Sequence, residues 1–134
     1  MIRGVHHLAI QVRDLASAER FYCGVLGLLV VRRWPSPAGG ERSLWVGTGD
    51  GAFLALEVVH GEEPIASEDL SRAGRPGHHL LALAISRDSR AAWEAHLAAA
   101  GTPVTHRTDY TLYFTDPEGN RLGLSHYPDA AEAG

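Results

Sequence analysis

With 134 residues, 45% hydrophobic and 21% charged, the chain has ordinary globular composition and the length of one domain with its own core. A net charge of −4 and no Lys/Arg run longer than two residues argue against a nucleic-acid or membrane-surface partner. Cys23 stands alone, which excludes an internal disulfide framework and suits a reducing compartment; no stretch reaches the ~20 apolar residues of a membrane span, and no apolar signal core opens the chain, so a cytoplasmic location is expected.

Residues 4–12, GVHHLAIQV, alternate as a half-buried strand does: Leu8, Ile10 and Val12 fall on one face, His7, Ala9 and Gln11 on the other. Asp14 is placed to cap a helix over 16–26, with Ala18, Phe21, Tyr22 and Val25 at helical spacing and Gly27 to stop it. The apolar run 28–34 reads as a strand, 35–40 as a loop, and 43–46 with 52–59 as a hairpin pair turning through Gly49-Asp50-Gly51. Residues 61–77 have no sustained period and read as a connector, with one helical turn near 67–71.

A second strand-led segment then begins. HHLLALAI at 78–85 is a strand, and 90–100 is an Ala-rich helix with Trp93 and Leu97 four apart, closed by Gly101. A short strand at 103–106 precedes the hairpin of 108–128. There Leu112 to Phe114 lead into Asp116-Pro117-Glu118-Gly119-Asn120, residues that reverse the chain, and Arg121 to Tyr127 resume alternation. The tail 129–134 is small and polar.

Each half therefore reads strand, helix, strand, strand, strand: a first unit at 5–60 and a second at 78–127, within one domain of α+β class. In each half one strand face is apolar and can pack on the helix. The other carries His7, Gln11, Trp45, Glu57, Tyr113, Arg121 and Ser125, and two such faces can enclose a small ligand. Imidazole and carboxylate on facing strands suit a borderline divalent ion such as Zn, Ni, Co, Mn or Fe. Asp50 lies seven residues before Glu57 and Asp116 seven before Gly123, so this count sets Glu57 against a residue with no side chain. If Leu81, Leu83 and Ile85 face the helix, Leu80 takes the place of His7, and a bulge or strand-end twist is needed to bring His79 there. His126 reads as a strand-end residue that a twisted strand could bring in for the missing ligand.

HHLAIQVRDLASAERFYCGVLGL near the start and YTLYFTDPEGNRLGLSHY near the end resemble the vicinal oxygen chelate superfamily of glyoxalases, fosfomycin-resistance transferases, methylmalonyl-CoA epimerases, extradiol dioxygenases and bleomycin-resistance proteins. The resemblance runs from about Val5 to Tyr127 and implies two βαβββ repeats forming an incomplete barrel, in a homodimer. It implies metal ligands at His7, at Glu57 and, by approximate position, at His79, with Gly123 where a glutamate is usual. It implies a divalent metal acting as a Lewis acid on a small oxygenated metabolite, in a lyase, isomerase or transferase, with Glu57 as ligand or catalytic base. Trp45, Thr111, Tyr113 and Arg121 are the substrate-binding candidates. Two alternatives stand beside this: a metal-free, bleomycin-resistance-type protein that holds an antibiotic or aromatic compound, and an extradiol dioxygenase, which needs the carboxylate that Gly123 lacks.

Overall fold

Alternation in the opening segment becomes strand β1 (His7–Val12), whose Val12 is buried while His7, Ala9 and Gln11 are exposed. Asp14 caps the next helix as its position predicts, its carboxylate accepting the Ser17 backbone N–H at 3.1 Å. The helix is not uniform. A turn of α-helix, α1 (Leu15–Glu19), widens into a π-helical stretch at Arg20–Val25, with the Leu26 N–H donating to the Phe21 carbonyl five residues back. A wider turn sets consecutive side chains closer together on the helix surface, and Phe21, Tyr22 and Leu26 are all buried. Gly27, at φ +75°, ends it.

Strands β2 (Leu29–Pro35), β3 (Glu41–Gly47) and β4 (Phe53–Val58) complete the first sheet in the order β1-β4-β3-β2, with β1 parallel to β4 and the rest antiparallel. The apolar run in β2 is not core: Leu29 and Val31 are exposed on this edge strand. Leu44, Val46, Leu54 and Leu56 form the apolar face against the helix and are at most 2% exposed. Truncating any one of them to alanine is the kind of change that costs about 2–5 kcal/mol.

The structure is a computed structural model and describes residues 1–59 and 76–131. The expected connector at 61–77, except 76 and 77, and the helical turn near 67–71 lie outside the described residues, as do the last three residues of the tail. The chain divides into two compact units, Met1–Gly61 and Glu62–Gly134.

In the second unit β5 (Leu81–Ala84) is shorter than its sequence suggests, and both histidines precede it. A 3-10 turn (Arg87–Ser89) leads into α2 (Arg90–Ala99), with Leu97 fully buried and Gly101 at φ +79°. Strands β6 (His106–Arg107), β7 (Thr111–Thr115) and β8 (Arg121–Ser125) give a sheet ordered β5-β8-β7-β6, the same topology as the first, with β5 parallel to β8. Leu112, Phe114, Leu122 and Leu124 form its buried face. Asp116 organises the β7–β8 turn: its carboxylate accepts the N–H groups of Glu118 and Asn120 at 2.9 and 2.8 Å and the Asn120 amide at 2.9 Å, while Gly119 takes φ +86°. The chain is thus an α+β protein of two four-stranded mixed sheets with few helices. No helix among the described residues is long and apolar enough to cross a membrane.

Candidate functional site

Strand register determines which side chains meet on the sheet faces turned away from the helices. In the first sheet three cross-strand rows form. His7 pairs with Phe53, and Phe53 with Gly47; Ala9 pairs with Ala55, and Ala55 with Trp45; Gln11 pairs with Glu57, Glu57 with Ser43, and Ser43 with Trp34. Side chains at alternate positions share a face, so the first and second rows stack their rings. The His7 and Phe53 centroids are 4.9 Å apart at 7°, Phe53 and Trp45 are 4.4 Å apart at 23°, and Trp45 meets Trp34 edge-on at 5.2 Å. His6 closes one end, its Nδ1 2.9 Å from Nδ1 of His7. Arg32 covers the other, its guanidinium carbon 3.7 Å from the Trp34 ring centroid, and Arg42 lies 5.5 Å away. The result is a continuous aromatic ladder across the sheet. Each ring pair contributes roughly 0.5–1.5 kcal/mol beyond its burial.

The third row is polar and incompletely satisfied. Ser43 Oγ and Trp34 Nε1 are both shielded from solvent and both without a hydrogen-bond partner, and Ser43 is only 6% exposed. Glu57, beside Ser43, is exposed.

In the second sheet the corresponding face carries Leu80, Ala82, Arg121, Gly123, Ser125, Thr111 and Tyr113. Arg121 lies over the Tyr113 ring at 4.3 Å and its Nη1 is 2.6 Å from His79 Nε2. A guanidinium has only donors, so His79 Nε2 is the acceptor. The Thr111 hydroxyl donates to Ser125 Oγ at 3.0 Å. Gly123 has no room for a side chain: a β-carbon there would lie 2.9 Å from Thr111 Cγ2.

These positions bear directly on the expected metal ligands. His7 pairs with Phe53, and Glu57 lies four residues further along β4, roughly 13 Å along the strand. The register therefore separates His7 from Glu57 and leaves Phe53 and Ala55 as the cross-strand neighbours nearest His7. His79 is engaged by Arg121, and the place of the last-strand glutamate is closed by the Thr111 methyl. His126 does not supply a replacement. It is buried at 4% exposure, with Nε2 2.9 Å from Arg90 Nη1 and Nδ1 on the Asp129 carbonyl. Among the described residues no three His, Cys, Asp or Glu side chains are grouped to hold a metal ion. The donor set of each unit, taken by itself, does not fit a divalent ion.

The expected pairing of Glu57 with Gly123 also changes. Gln11–Glu57–Ser43 in the first sheet occupies the place of Ala84–Ser125–Thr111 in the second, and Ala55 occupies the place of Gly123. Trp45, Thr111, Tyr113 and Arg121 all lie on the faces expected for substrate contact; Thr111 is buried with its hydroxyl engaged. Sequence reading did not single out Phe53, Trp34 and Ser43. The alternation of 41–47 and 53–58 is the signal that could have found the last two strands' contribution. A separate cavity of about 290 Å3 opens beside α1, lined by Leu15, Ala16, Glu19, Arg33, Glu41 and Leu44, where Arg33 pairs with both glutamates.

The comparisons with known proteins agree with this architecture. A glyoxalase/dioxygenase from Nostoc punctiforme is 21% identical, with 91% of this chain and 89% of that one covered and a TM-score of 0.73. Lactoylglutathione lyase from Agrobacterium tumefaciens is 22% identical, covering 92% and 93%, with a TM-score of 0.69. A mutant of the fosfomycin resistance protein FosX from Listeria monocytogenes, complexed with Mn(II) and 1S,2S-dihydroxypropylphosphonic acid, is 15% identical, covering 94% of each chain, with a TM-score of 0.69. At these identities the likeness is one of fold. The family model described as Glyoxalase/Bleomycin resistance protein/Dioxygenase superfamily matches residues 4–124, and the chain belongs to that superfamily.

Proposed function

We propose that this chain is a small-molecule-binding member of the superfamily that holds a flat aromatic ligand on the ladder of its first sheet, without metal-assisted chemistry. The observation that carries the reading is the unbroken run of rings His7, Phe53, Trp45 and Trp34. Stacked and edge-on rings present π-faces and edges that favour a planar aromatic partner, and each aromatic contact adds to simple burial. Binding of this kind is sequestration, and it needs no general base; Glu57 is then a rim carboxylate. Trp45 is the central contact; Tyr113 and Arg121 form an aromatic and cationic surface of their own on the second unit.

The reading includes a homodimer in the cytoplasm, supported by the family and by a lone free thiol at Cys23.

A metal-dependent lyase or transferase is the second reading. The Mn(II)-complexed FosX structure favours it, as does His7 at the start of β1. An extradiol dioxygenase is disfavoured by the closed space at Gly123.

Calorimetric titration with planar aromatics, bleomycin among them, tests the leading reading: binding is expected, and Trp45→Ala should abolish it with the fold intact by circular dichroism. No binding by any ligand, together with about one Mn, Ni, Co or Zn ion retained per chain after dialysis and lost in His7→Ala, would replace it with the metal-dependent one.

A further inference from the structure

The third row of the first sheet is built for a polar group the chain itself does not supply. Trp34 Nε1, a donor only, and Ser43 Oγ are shielded from solvent and unpartnered, and the two residues face each other across β2 and β3. Buried polar atoms in folded proteins are nearly always paired, so two orphans side by side ask for an external partner. Arg32 and Arg42 lie against the Trp34 ring; both are exposed, and among the described residues neither has a carboxylate partner. Two unpaired donors under two uncommitted cations match an oxyanion. Their exposed, flexible stems make the guanidinium cover displaceable. The opposing charge is Glu57, on the other side of Ser43.

Geometry fixes where the oxyanion must sit on the ligand. The row of Trp34 and Ser43 is two residues along the strands from the row of Trp45 and Ala55, a step of roughly 6.6 Å. That is close to the distance from the centre of the far ring of a fused bicycle to the oxygens of a carboxylate on its other ring.

We infer that the ladder takes an aromatic carboxylate, with the ring on Trp45 and Phe53 and the carboxylate accepting from Trp34 Nε1 and Ser43 Oγ beneath Arg32. This deepens the aromatic-binding reading and rests on it.

The test uses the full chain, calorimetry and two probes, 2-naphthoate and 2-methylnaphthalene, which share the ring and differ in the carboxylate. The expected result is naphthoate binding about tenfold or more tighter than methylnaphthalene. Ser43→Ala should erase most of that preference while leaving methylnaphthalene affinity within about twofold, and Trp34→Phe, which also alters the ladder, should lower the ratio of naphthoate to methylnaphthalene affinity. Glu57→Gln, which removes the opposing charge, should tighten naphthoate and leave methylnaphthalene alone. Ser43→Ala is small enough to keep the fold if Trp34→Phe does not. Equal affinity for both probes, with Trp45→Ala weakening both, would overturn the carboxylate subsite while the aromatic platform stands. Binding of neither probe to folded protein would overturn both.

Discussion

Gly123 and Thr111, diagonal neighbours on β8 and β7, share one space: a β-carbon on the glycine would come within 2.9 Å of the threonine methyl. Leu80 and Tyr113 close the other sides at 3.5 and 3.6 Å. Gly123 does not take a left-handed backbone conformation, so its constraint is packing and not φ. Gly123→Ala is therefore expected to destabilise the protein by about 1–3 kcal/mol, the usual cost of overpacking. Thr111→Ser removes the methyl and keeps the hydroxyl that bonds Ser125, so the double variant should recover much of the loss. Urea denaturation of the four proteins checks this, and strictly additive effects would show that the two residues do not compete.

The same position shows what the sequence could and could not reveal. Element order, the Asp14 cap, both glycine helix stops and the two apolar faces followed from alternation and capping chemistry, which are local. The register between strands is not local. Counting seven residues from Asp50 and from Asp116 sets Glu57 against Gly123, but the aspartates sit at different places in turns of equal length, 48–52 and 116–120: β4 begins three residues after Asp50, at Phe53, and β8 five after Asp116, at Arg121. That difference of two moves Glu57 to the place of Ser125 and keeps it on the same face, so alternation alone could not expose the shift. The aromatic ladder was illegible for a related reason. Trp34, Trp45, Phe53 and His7 come from four strands, and their adjacency exists only after pairing.

Ser43 offers a test that needs no ligand. Its hydroxyl is buried and unpartnered, and such a group is a standing cost to the folded state of about 1–3 kcal/mol. Ser43→Ala should raise stability by about 1 kcal/mol, seen as a higher urea midpoint at unchanged slope. A binding residue that weakens its own fold is a familiar trade of stability for function. A lower midpoint would mean that the hydroxyl has a partner in solution.

Asp50 governs the acid side of the first hairpin. Its carboxylate accepts from the Thr48 hydroxyl and from the Ala52 N–H, and these bonds, the Thr48 one first, hold its pKa below the ordinary aspartate value of 3.8. A depressed folded-state pKa means stability that is present above the unfolded value and lost as pH falls through the folded one. Asp50→Asn should then be less stable than the parent at neutral pH, with the gap narrowing below about pH 4. Thermal melts of both proteins across that window check it; a gap independent of pH would assign the loss to geometry rather than charge.

Cys23 lies in the π-helical stretch, half-buried. Burial is the main cause raising its thiol pKa, the neighbouring Glu19 adds to it, and Arg33 opposes. Since the thiolate is the reactive form, alkylation by iodoacetamide at neutral pH should be slower than for free cysteine. Glu19→Gln should speed it. This variant also frees Arg33 from one of its two carboxylates, so both changes act in the same direction. Labelling of the parent as fast as free cysteine would contradict the shielded thiol.

His126 ties the end of β8 to α2. Its Nε2 meets Arg90 Nη1, and Arg90 Nη2 donates to the Thr108 carbonyl at 2.9 Å. Because the guanidinium can only donate, Nε2 must accept, and Nδ1 is left to donate to the Asp129 carbonyl. The ring is therefore fixed in its Nδ1–H form by two partners of opposite kind. Long-range 1H–15N spectra should show a protonated Nδ1 and a bare Nε2, and the reverse pattern would break the assignment. His126→Ala removes both bonds together with a buried ring, so a loss of about 1–3 kcal/mol is expected. Arg90→Met removes one of the two bonds and should cost less than His126→Ala. If Arg90→Met cost more, the arginine would owe its importance to Thr108 and not to the histidine.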